Sequence, residues 1–320
     1  MRRTVGPPEE NLKIFTGSAH PALAAAIAAH IGIPLGRSRT HRFSNENLKV
    51  KIEENVREQD VFVVQPSCPP VSEGILELLI MIDALKSASA RRITAVMPYF
   101  PYARSDKKDE PRISITARLM ADLIETAGAD RALTMDLHSP QVQGFFRIPA
   151  DQLSAIPLLV EHLGKSDLGN AVVVAPDAGE AKDAARFAKR LHIPLAIIDK
   201  RRFGDDEKPR AIHLVGDVRG KRAIIIDDEI ATGGTIAEAV AFVRSEGATH
   251  VTVAAVHPVL SGNAPARLAA AAVDDYVFTD SIPIPPERRD PRTTVLSVAS
   301  LLAEAIMRIH DGRSVSELFA

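Results

Sequence analysis

The sequence has a single cysteine, no tryptophan and few aromatic residues. One cysteine, Cys68, among 320 residues excludes an intrachain disulfide, so a reducing cytoplasm is the expected compartment. Aromatic residues make up 4% of the chain, which argues against a surface that stacks nucleic-acid bases. The formal net charge is −2, and the chain therefore lacks the excess of basic residues that nucleic-acid binding requires.

Long apolar runs are also missing. The first residues, MRRTVGPPEE, lack the apolar centre of a secretory signal. The most apolar early segment, residues 22–29, is far shorter than the ~20 residues that span a bilayer. We therefore expect neither a membrane nor a nucleic acid among the partners of this chain.

Short β-branched runs alternate with Ala- and Leu-rich segments along the whole chain. The runs are VFVV (61–64), ITAV (93–96), VVV (172–174), AIII (223–226) and VTVAAV (251–256). The segments between them, such as ILELLIMIDALKSA and TIAEAVAFVRSEG, have helical patterns. Strands that alternate with helices predict an α/β fold with mainly parallel sheets flanked by helices.

The two halves of the sequence resemble each other. Four segments of the first half have counterparts about 160 residues further on, among them VFVVQPSCPP and AIIIDDEIATGG. A constant offset predicts two copies of one α/β unit. The alternative is chance similarity between generic β-α-β units.

The two copies differ at the strand ends, where open α/β sheets bind their ligands. The second copy has Asp227-Asp228 followed by a Thr-Gly-Gly-Thr turn, whereas the first has Gln65-Pro66 and then Pro69-Pro70. We therefore predict a phosphosugar site in the second half, and a different role for the first.

The segment AIIIDDEIATGGTIAEAV, residues 223–240, carries that prediction. Glycines let backbone N–H groups approach an anion, and a helix N-terminus favours negative charge, so residues 232–235 suit a phosphate. The two aspartates accept hydrogen bonds from sugar hydroxyls, directly or through Mg²⁺ and its waters. A ribose phosphate laid lengthwise fits both halves of the segment. The motif is neither a Walker loop nor a dinucleotide turn, and the alternative is an acidic strand end beside a glycine turn.

IIIDDEIATGGT resembles the phosphoribosyl-pyrophosphate loop of the type I phosphoribosyltransferase fold. Further segments narrow the resemblance to the ribose-phosphate pyrophosphokinase family, over nearly the whole chain: RFSNEN (42–47), MIDALKSASARRITAVMPYFPYARSDKK (81–108), ETAGADRALTMDLHSPQVQGFF (125–146), PDAG (176–179) and AIIDKRR (196–202). The resemblance implies two tandem phosphoribosyltransferase-type domains, 1–153 and 154–304, with the C-terminal segment 305–320 packing on the first. It also implies a hexamer built from dimers, in which ATP is bound partly by a neighbouring subunit.

The implied reaction transfers the diphosphoryl group of MgATP to the 1-hydroxyl of ribose 5-phosphate, with phosphoribosyl diphosphate (PRPP) and AMP as products. Lys200 and Arg202 match the catalytic cations of the family's flexible loop, and positioned cations stabilise charge that builds on phosphate oxygens. Without the resemblance, DKRRFGDDEKPR would be interpreted as a solvated surface loop.

The resemblance also assigns the binding residues. The ATP-binding positions are Phe43, Asn45, Asn47, Arg104, Ser105, Asp106 and His138. The ribose-5-phosphate-binding positions are Asp177, Asp227, Asp228, Thr232, Gly233, Gly234 and Thr235. The metal-associated positions are His138 and Asp177, with Mg²⁺ as the cofactor. A phosphate/ADP regulatory site would use Arg57, Ser314 and Ser316. Taken alone, Arg57 is equally a helix-surface charge, and SNEN an ordinary surface turn.

Three positions depart from the family pattern. Ala231 stands where an aspartate is usual, Glu180 replaces a glycine, and Asn47 replaces an acid. These departures leave open a catalytically weak regulatory paralogue of the enzyme, which would form no AMP by itself. A nucleobase phosphoribosyltransferase shares the loop and the fold class, but it needs neither RFSNEN nor YARSDKK.

Overall fold

A computed structural model of the chain describes residues 11–201 and 210–319. These residues form two compact units. The first extends to Ser154 and takes in Ser281–Pro283 and the chain from Ser297 onward, and the second comprises Ala155–Asp280 and Ile284–Leu296. Among the helices in the described ranges, none combines the length and the apolar character needed to cross a bilayer.

The first unit contains a parallel sheet of five strands in the order β1-β4-β5-β6-β7. Its strands are β1 (Leu12–Thr16), β4 (Asp60–Val64), β5 (Arg92–Met97), β6 (Arg131–Met135) and β7 (Ala150–Leu153). A separate antiparallel hairpin consists of β2 (Ser38–Arg42) and β3 (Leu48–Ile52). All five residues of β4, DVFVV, are buried, as is typical of a strand covered on both faces.

The second unit contains a sheet of seven strands in the order β10-β9-β8-β11-β12-β13-β14. Its strands are β8 (Ala171–Ala175), β9 (Leu195–Arg201), β10 (Arg210–Val215), β11 (Arg222–Glu229), β12 (His250–His257), β13 (Asp275–Thr279) and β14 (Thr293–Leu296). All neighbours are parallel except β9 and β10, which form an antiparallel hairpin at one edge.

Helices connect the strands in both units. They are α1 (Pro21–Ile31), α2 (Val71–Ser87), α3 (Thr116–Ala127), α4 (Ile156–Leu163), α5 (Ala181–Leu191), α6 (Gly234–Ser245), α7 (Ala264–Ala270) and α8 (Ala299–Asp311). Helix α5 shows why they form: it buries Ala184, Phe187, Ala188 and Leu191, the i, i+3, i+4, i+7 stripe of an amphipathic helix.

The order of the strands confirms the predicted duplication. Omitting the hairpin strands, β1-β4-β5-β6-β7 in the first unit has the same connectivity as β8-β11-β12-β13-β14 in the second. Each predicted β-branched run lies in one of these strands. The copies differ in their hairpins, since β2–β3 stands apart from its sheet whereas β9–β10 extends the second sheet.

The last helix belongs to the first unit and is anchored to the amino end of its sheet. Asp60, at the start of β4, is fully buried. Its carboxylate accepts hydrogen bonds from Arg92 Nε at 2.8 Å and from His310 Nδ1 at 2.7 Å. A second nitrogen of Arg92 also donates to Asp60, and to the carbonyl of Ile309 at 2.9 Å. This buried cluster ties α8 to β4 and β5.

Candidate active site

Four carboxylates converge at the carboxyl end of the second sheet. Asp227 and Asp228 are the half-buried residues near the end of β11. Asp177 follows β8, which pairs with β11 in parallel. Its Oδ1 accepts hydrogen bonds from the backbone N–H groups of Gly179, at 2.9 Å, and of Glu180, at 3.3 Å. This turn places Glu180 at the start of α5, beside the strand-end aspartates.

The convergence of these carboxylates changes their acid–base chemistry. Burial raises the pKa of the Asp227 carboxyl well above its usual range, and the negative charges of Asp228, Glu180 and Asp177, together with a hydrogen bond to Asp228, raise it further. Oxygen-rich sites of this kind suit hard divalent cations such as Mg²⁺. The donor set of the described residues therefore fits the predicted cofactor.

The loop after β11 presents free backbone amides. Among the described residues, the N–H groups of Thr232, Gly233, Gly234 and Thr235 have no hydrogen-bond acceptor. Gly233 has the left-handed backbone angle φ 71° and precedes the first residue of α6, a conformation that glycine adopts without steric cost. Free amides at a helix start form a site for an anion. The loop geometry would suit an anion, and the phosphate site expected at residues 232–235 stays a prediction.

The same loop is held from behind by the segment after β12. The carbonyl of Ile230 accepts the N–H of Leu260 at 2.9 Å. The carbonyl of Ala231 accepts the N–H of Ser261 at 2.8 Å and its hydroxyl at 3.2 Å. Ser261 therefore supports the loop, although the sequence pattern assigned no role to this residue.

The structure explains how the site accommodates Glu180 and shows what surrounds Ala231, two positions that depart from the family pattern. Glu180 occupies the ordinary right-handed helical region with φ −82°, so the turn forms without backbone strain, and its side chain adds a fourth carboxylate to the cluster. Glu229, the extra acid near Ala231, is 5% exposed. It therefore does not stand at the surface of the loop, where the missing aspartate would have been.

The predicted ATP residues of the hairpin lie at its tip. Phe43 is 45% exposed and packs edge-on against His41 with ring centroids 4.9 Å apart. The tip is closed by the N–H of Phe43, which donates to the carbonyl of Asn47 at 2.9 Å, and by Asn45 Oδ1, which accepts the N–H of Asn47 at 3.3 Å. An exposed ring on a braced turn is available for stacking.

The other predicted ATP residues of the first unit follow β5 and β6. Asp106 accepts hydrogen bonds from the Ser139 hydroxyl at 2.5 Å and from Gln141 Nε2 at 2.7 Å, so the structure brings Asp106 next to the exposed His138. Burial opposes ionisation of Asp106, but the hydrogen bonds from Ser139 and Gln141, a backbone hydrogen bond and the positive charge of Lys107 together outweigh burial and lower the pKa of that carboxyl. Ser139 and Gln141 were missed by the sequence interpretation.

Arg104 and Ser105 precede this cluster. Arg104 is exposed. The hydroxyl of Ser105 accepts the N–H of Thr116, at the start of α3, at 3.3 Å. His138 belongs to the first unit and Asp177 to the second, so their joint role at a metal stays a prediction.

Of the two predicted catalytic residues, Lys200 lies on the β9–β10 hairpin. Strand β9 pairs with β8 only as far as Ile197, opposite Ala175, and then continues as a hairpin in which Lys200 pairs with Ala211. The backbone of Lys200 thus stands on the carboxyl edge of the sheet, the edge that carries Asp177. Arg202 lies outside the described residues.

The predicted regulatory residues are on the surface of the first unit. Arg57 is exposed, and its N–H donates to Asn55 Oδ1 at 3.0 Å. The carbonyl of Ser314 accepts Arg308 Nη1 at 2.9 Å, and the hydroxyl of Ser314 accepts the N–H of Ser316 at 3.3 Å. Their regulatory role stays a prediction.

The equivalent strand end of the first unit is filled by its own side chains. Gln65 occupies the position after β4, and its Oε1 accepts the N–H of Ala19 at 3.1 Å while its Nε2 donates to Glu77 at 2.8 Å. A Cβ added to Gly17 would lie 2.2 Å from Gln65 Oε1, so no space remains there. In addition, Pro69-Pro70 lacks the N–H groups that would bind a phosphate.

Two family models together match most of the chain. Residues 12–128 match the N-terminal domain of ribose phosphate pyrophosphokinase, and residues 200–320 match the phosphoribosyl synthetase-associated domain. The chain is 53% identical over 314 residues to a ribose-phosphate pyrophosphokinase of Deinococcus radiodurans, which covers 96% of this chain and 98% of that protein. It is 49% identical over 315 residues to one of Caldanaerobacter subterraneus subsp. tengcongensis, covering 97% and 98%.

A solved structure shows the same fold. The phosphoribosylpyrophosphate synthetase of Mycobacterium smegmatis matches with a TM-score of 0.90 and 44% identity, covering 95% of this chain and all of that one. The fold and the matches define an enzyme, a transferase of the α/β class. The chain belongs to the ribose-phosphate pyrophosphokinase family, which confirms the predicted family and the predicted two-domain α/β fold.

Proposed function

We propose that the chain transfers the diphosphoryl group of MgATP to ribose 5-phosphate and so supplies PRPP for nucleotide biosynthesis. The 1-hydroxyl oxygen of the sugar forms a bond to the β-phosphorus. The bond from the β-phosphorus to the oxygen bridging the α-phosphate breaks, AMP leaves with that oxygen, and the hydroxyl proton passes to solvent. The observation that carries the proposal is the row of free amides at residues 232–235, directly after the carboxylates of β11.

The sugar is bound lengthwise in this proposal. Its 5-phosphate accepts hydrogen bonds from the free loop amides and the hydroxyls of Thr232 and Thr235. Its ring hydroxyls donate to Asp227 and Asp228, with Asp177 on the neighbouring strand end. Carboxyl oxygens accept hydrogen bonds from hydroxyls, so this group of acids selects the hydroxylated face of the sugar.

Mg²⁺ is the proposed cofactor, held at the strand ends by Asp177 and also by His138 as the resemblance implies. Its contribution when bound is to neutralise charge on the phosphates of ATP. The adenine is bound by Phe43 and Asn45 of the hairpin tip with Asn47, and the phosphates by the segment Arg104–Asp106, in which the Arg104 guanidinium matches phosphate geometry. Lys200 and Arg202 stabilise the charge of the transferred group.

The assembly and location are proposed by the same reasoning. The resemblance supports a hexamer built from dimers, in which the hairpin tip of one subunit serves the ATP site of another. The exposure of Phe43 at a braced tip agrees with such a role. One buried cysteine, Cys68, agrees with a cytoplasmic location.

The test is the identity of the nucleotide product. The purified protein is incubated with Mg²⁺, ATP and ribose 5-phosphate, and AMP is resolved from ADP while PRPP is measured. Equal amounts of AMP and PRPP are expected. No AMP from the folded protein, across ribose phosphates, nucleotides and added phosphate, would favour the regulatory paralogue. Consumption of PRPP with a nucleobase would favour a phosphoribosyltransferase.

Gly234→Ala is expected to raise the KM for ribose 5-phosphate about tenfold without loss of stability. A Cβ at Gly234 would meet no atom nearer than 3.6 Å, and alanine stabilises a helix relative to glycine. The methyl group would nevertheless lie 3.7 Å from the hydroxyl oxygen of Thr232, a proposed phosphate donor, and so restricts the approach of the phosphate. Steady-state kinetics and thermal unfolding measure both effects. Gly144→Ala, which has open space around its Cβ, is the matched control, and an unchanged KM would contradict the proposed phosphate position.

Ala231→Asp is expected to lower the KM for ribose 5-phosphate severalfold. The half-buried Ala231 stands where the family pattern has an aspartate, and only its backbone is used in holding the loop. A carboxylate at this position adds an acceptor for a sugar hydroxyl. The KM for ATP serves as the internal control. An unchanged or higher KM for the sugar would mean that the site has repacked around Ala231.

A further inference from the structure

In the loop after β11, the carbonyls of Ile230 and Ala231 are followed by that of Thr232, which is held by a side chain. Arg267, in α7, donates its Nη1 to the carbonyl of Thr232 at 2.5 Å. Its guanidinium also lies against the helix start, because the same Nη1 is 3.6 Å from the Cβ position of Gly234. The two preceding carbonyls of the loop are held by backbone and hydroxyl groups, so Arg267 is the one charged donor to the loop carbonyls among the described residues.

The peptide geometry links this contact to the ligand side of the loop. In a planar trans peptide, the carbonyl of one residue and the N–H of the next point in opposite directions. A bond that fixes the Thr232 carbonyl towards α7 therefore fixes the N–H of Gly233 away from α7. That N–H is one of the free amides of the loop. The orientation matters because Gly233, at φ 71°, has more accessible backbone conformations than other residues.

We propose that Arg267 is a positioning residue for the 5-phosphate of the sugar substrate. It aims the Gly233 amide at the phosphate, and its positive charge, next to the helix start, favours an anion there. This inference rests on the proposed function, because it concerns the same phosphate site. It assigns a role to a residue of α7, a helix that the sequence motif does not include.

The experiment compares Arg267→Ala, Arg267→Lys and a matched control in the full-length protein. Arg219→Ala is the control, since Arg219 is exposed and precedes β11 at the opposite end of that strand. Steady-state kinetics give the KM for ribose 5-phosphate, the KM for ATP and kcat. Isothermal titration calorimetry gives the affinity for ribose 5-phosphate without ATP, and thermal unfolding gives stability.

Arg267→Ala is expected to weaken the binding of ribose 5-phosphate about tenfold or more, both in KM and in the affinity measured by calorimetry. This is the size of effect expected from the loss of a charge-assisted hydrogen bond. The KM for ATP and the unfolding temperature stay near the wild-type values. Arg267→Lys, which keeps the charge but loses the planar fork, recovers part of the affinity. Arg219→Ala behaves as wild type.

Two kinds of result overturn the inference. One is a wild-type affinity for ribose 5-phosphate in Arg267→Ala. The other is a variant in which ATP binding, ribose 5-phosphate binding and the unfolding temperature all fall together, which would show a merely structural role. Failure of the proposed function would look different, because the wild-type protein itself would then form no AMP. In that case the affinity for ribose 5-phosphate, measured by calorimetry, still decides the role of Arg267.

Discussion

Lys200→Ala is expected to lower kcat by a factor of about 100 to 1,000, the usual effect of removing one donor that stabilises transition-state charge. The KM for ATP should change little, because the interaction strengthens as the diphosphoryl group moves rather than in the bound ground state. The backbone placement supports this expectation. Lys200 lies three residues beyond the last β8–β9 pair, on the sheet edge that carries the carboxylates.

The measurement is steady-state kinetics with AMP as the detected product. Lys189→Ala removes the same charge from the last turn of α5, which runs back towards the amino end of the strands, and should leave kcat unchanged. A near-normal kcat in Lys200→Ala would remove Lys200 from the mechanism. Lys200→Arg, which retains the charge, should fall between wild type and the alanine variant.

The second large effect is on stability, at Asp60. Asp60→Asn removes the charge that Arg92 and His310 face in the buried cluster under α8. Breaking one partner of a buried ion pair costs about 3–5 kcal/mol of unfolding free energy. We expect a loss of this size at neutral pH, with α8 becoming sensitive to proteases, because Arg92 also holds the carbonyl of Ile309.

The pH dependence follows from the direction of the pKa shift. Burial opposes ionisation of Asp60, but hydrogen bonds from His310 and Arg92 outweigh burial and hold the pKa of this carboxyl below its ordinary value. The unfolded chain has the ordinary value of about 3.9. The stabilisation by Asp60 is therefore fully present above about pH 4 and is lost as the pH falls through the lower folded value.

Urea unfolding at several pH values tests both parts of this prediction. The difference in unfolding free energy between wild type and Asp60→Asn should be large at pH 7 and should shrink below about pH 4. Asp83→Asn, on the exposed side of α2, is the control and should stay within about 0.5 kcal/mol of wild type. A difference that does not change with pH would show that the ionised carboxylate is not the source of the stability.

The strands and the phosphate loop could be predicted from sequence because their signals are local. AIII followed by two aspartates and a glycine pair specifies a buried strand, its polar end and a helix start within 18 residues, and the structure has β11 and α6 there. The equal offsets between the two halves likewise correspond to equal strand orders.

What the sequence could not reveal depends on contacts between distant segments. Arg267 holds a carbonyl 35 residues earlier in the chain, and Asp106 meets the Ser139 hydroxyl 33 residues away. In SGNAPARLAA nothing distinguishes Arg267 from a solvated helix charge. The effect of Glu180 was also hidden, because whether it obstructs or joins the carboxylates depends on the turn formed by Asp177.

The filled strand end of the first unit has an evolutionary consequence. Glu77 is buried and accepts hydrogen bonds from Gln65, Ser18 and Thr40. Any single substitution that reopened this cleft by removing Gln65 would strip a buried carboxylate of one of its donors, at a cost of a few kcal/mol. A ligand site at this strand end, like the one in the second copy, is therefore hard to restore by single mutations. The first copy is thus expected to keep a role different from that of the second.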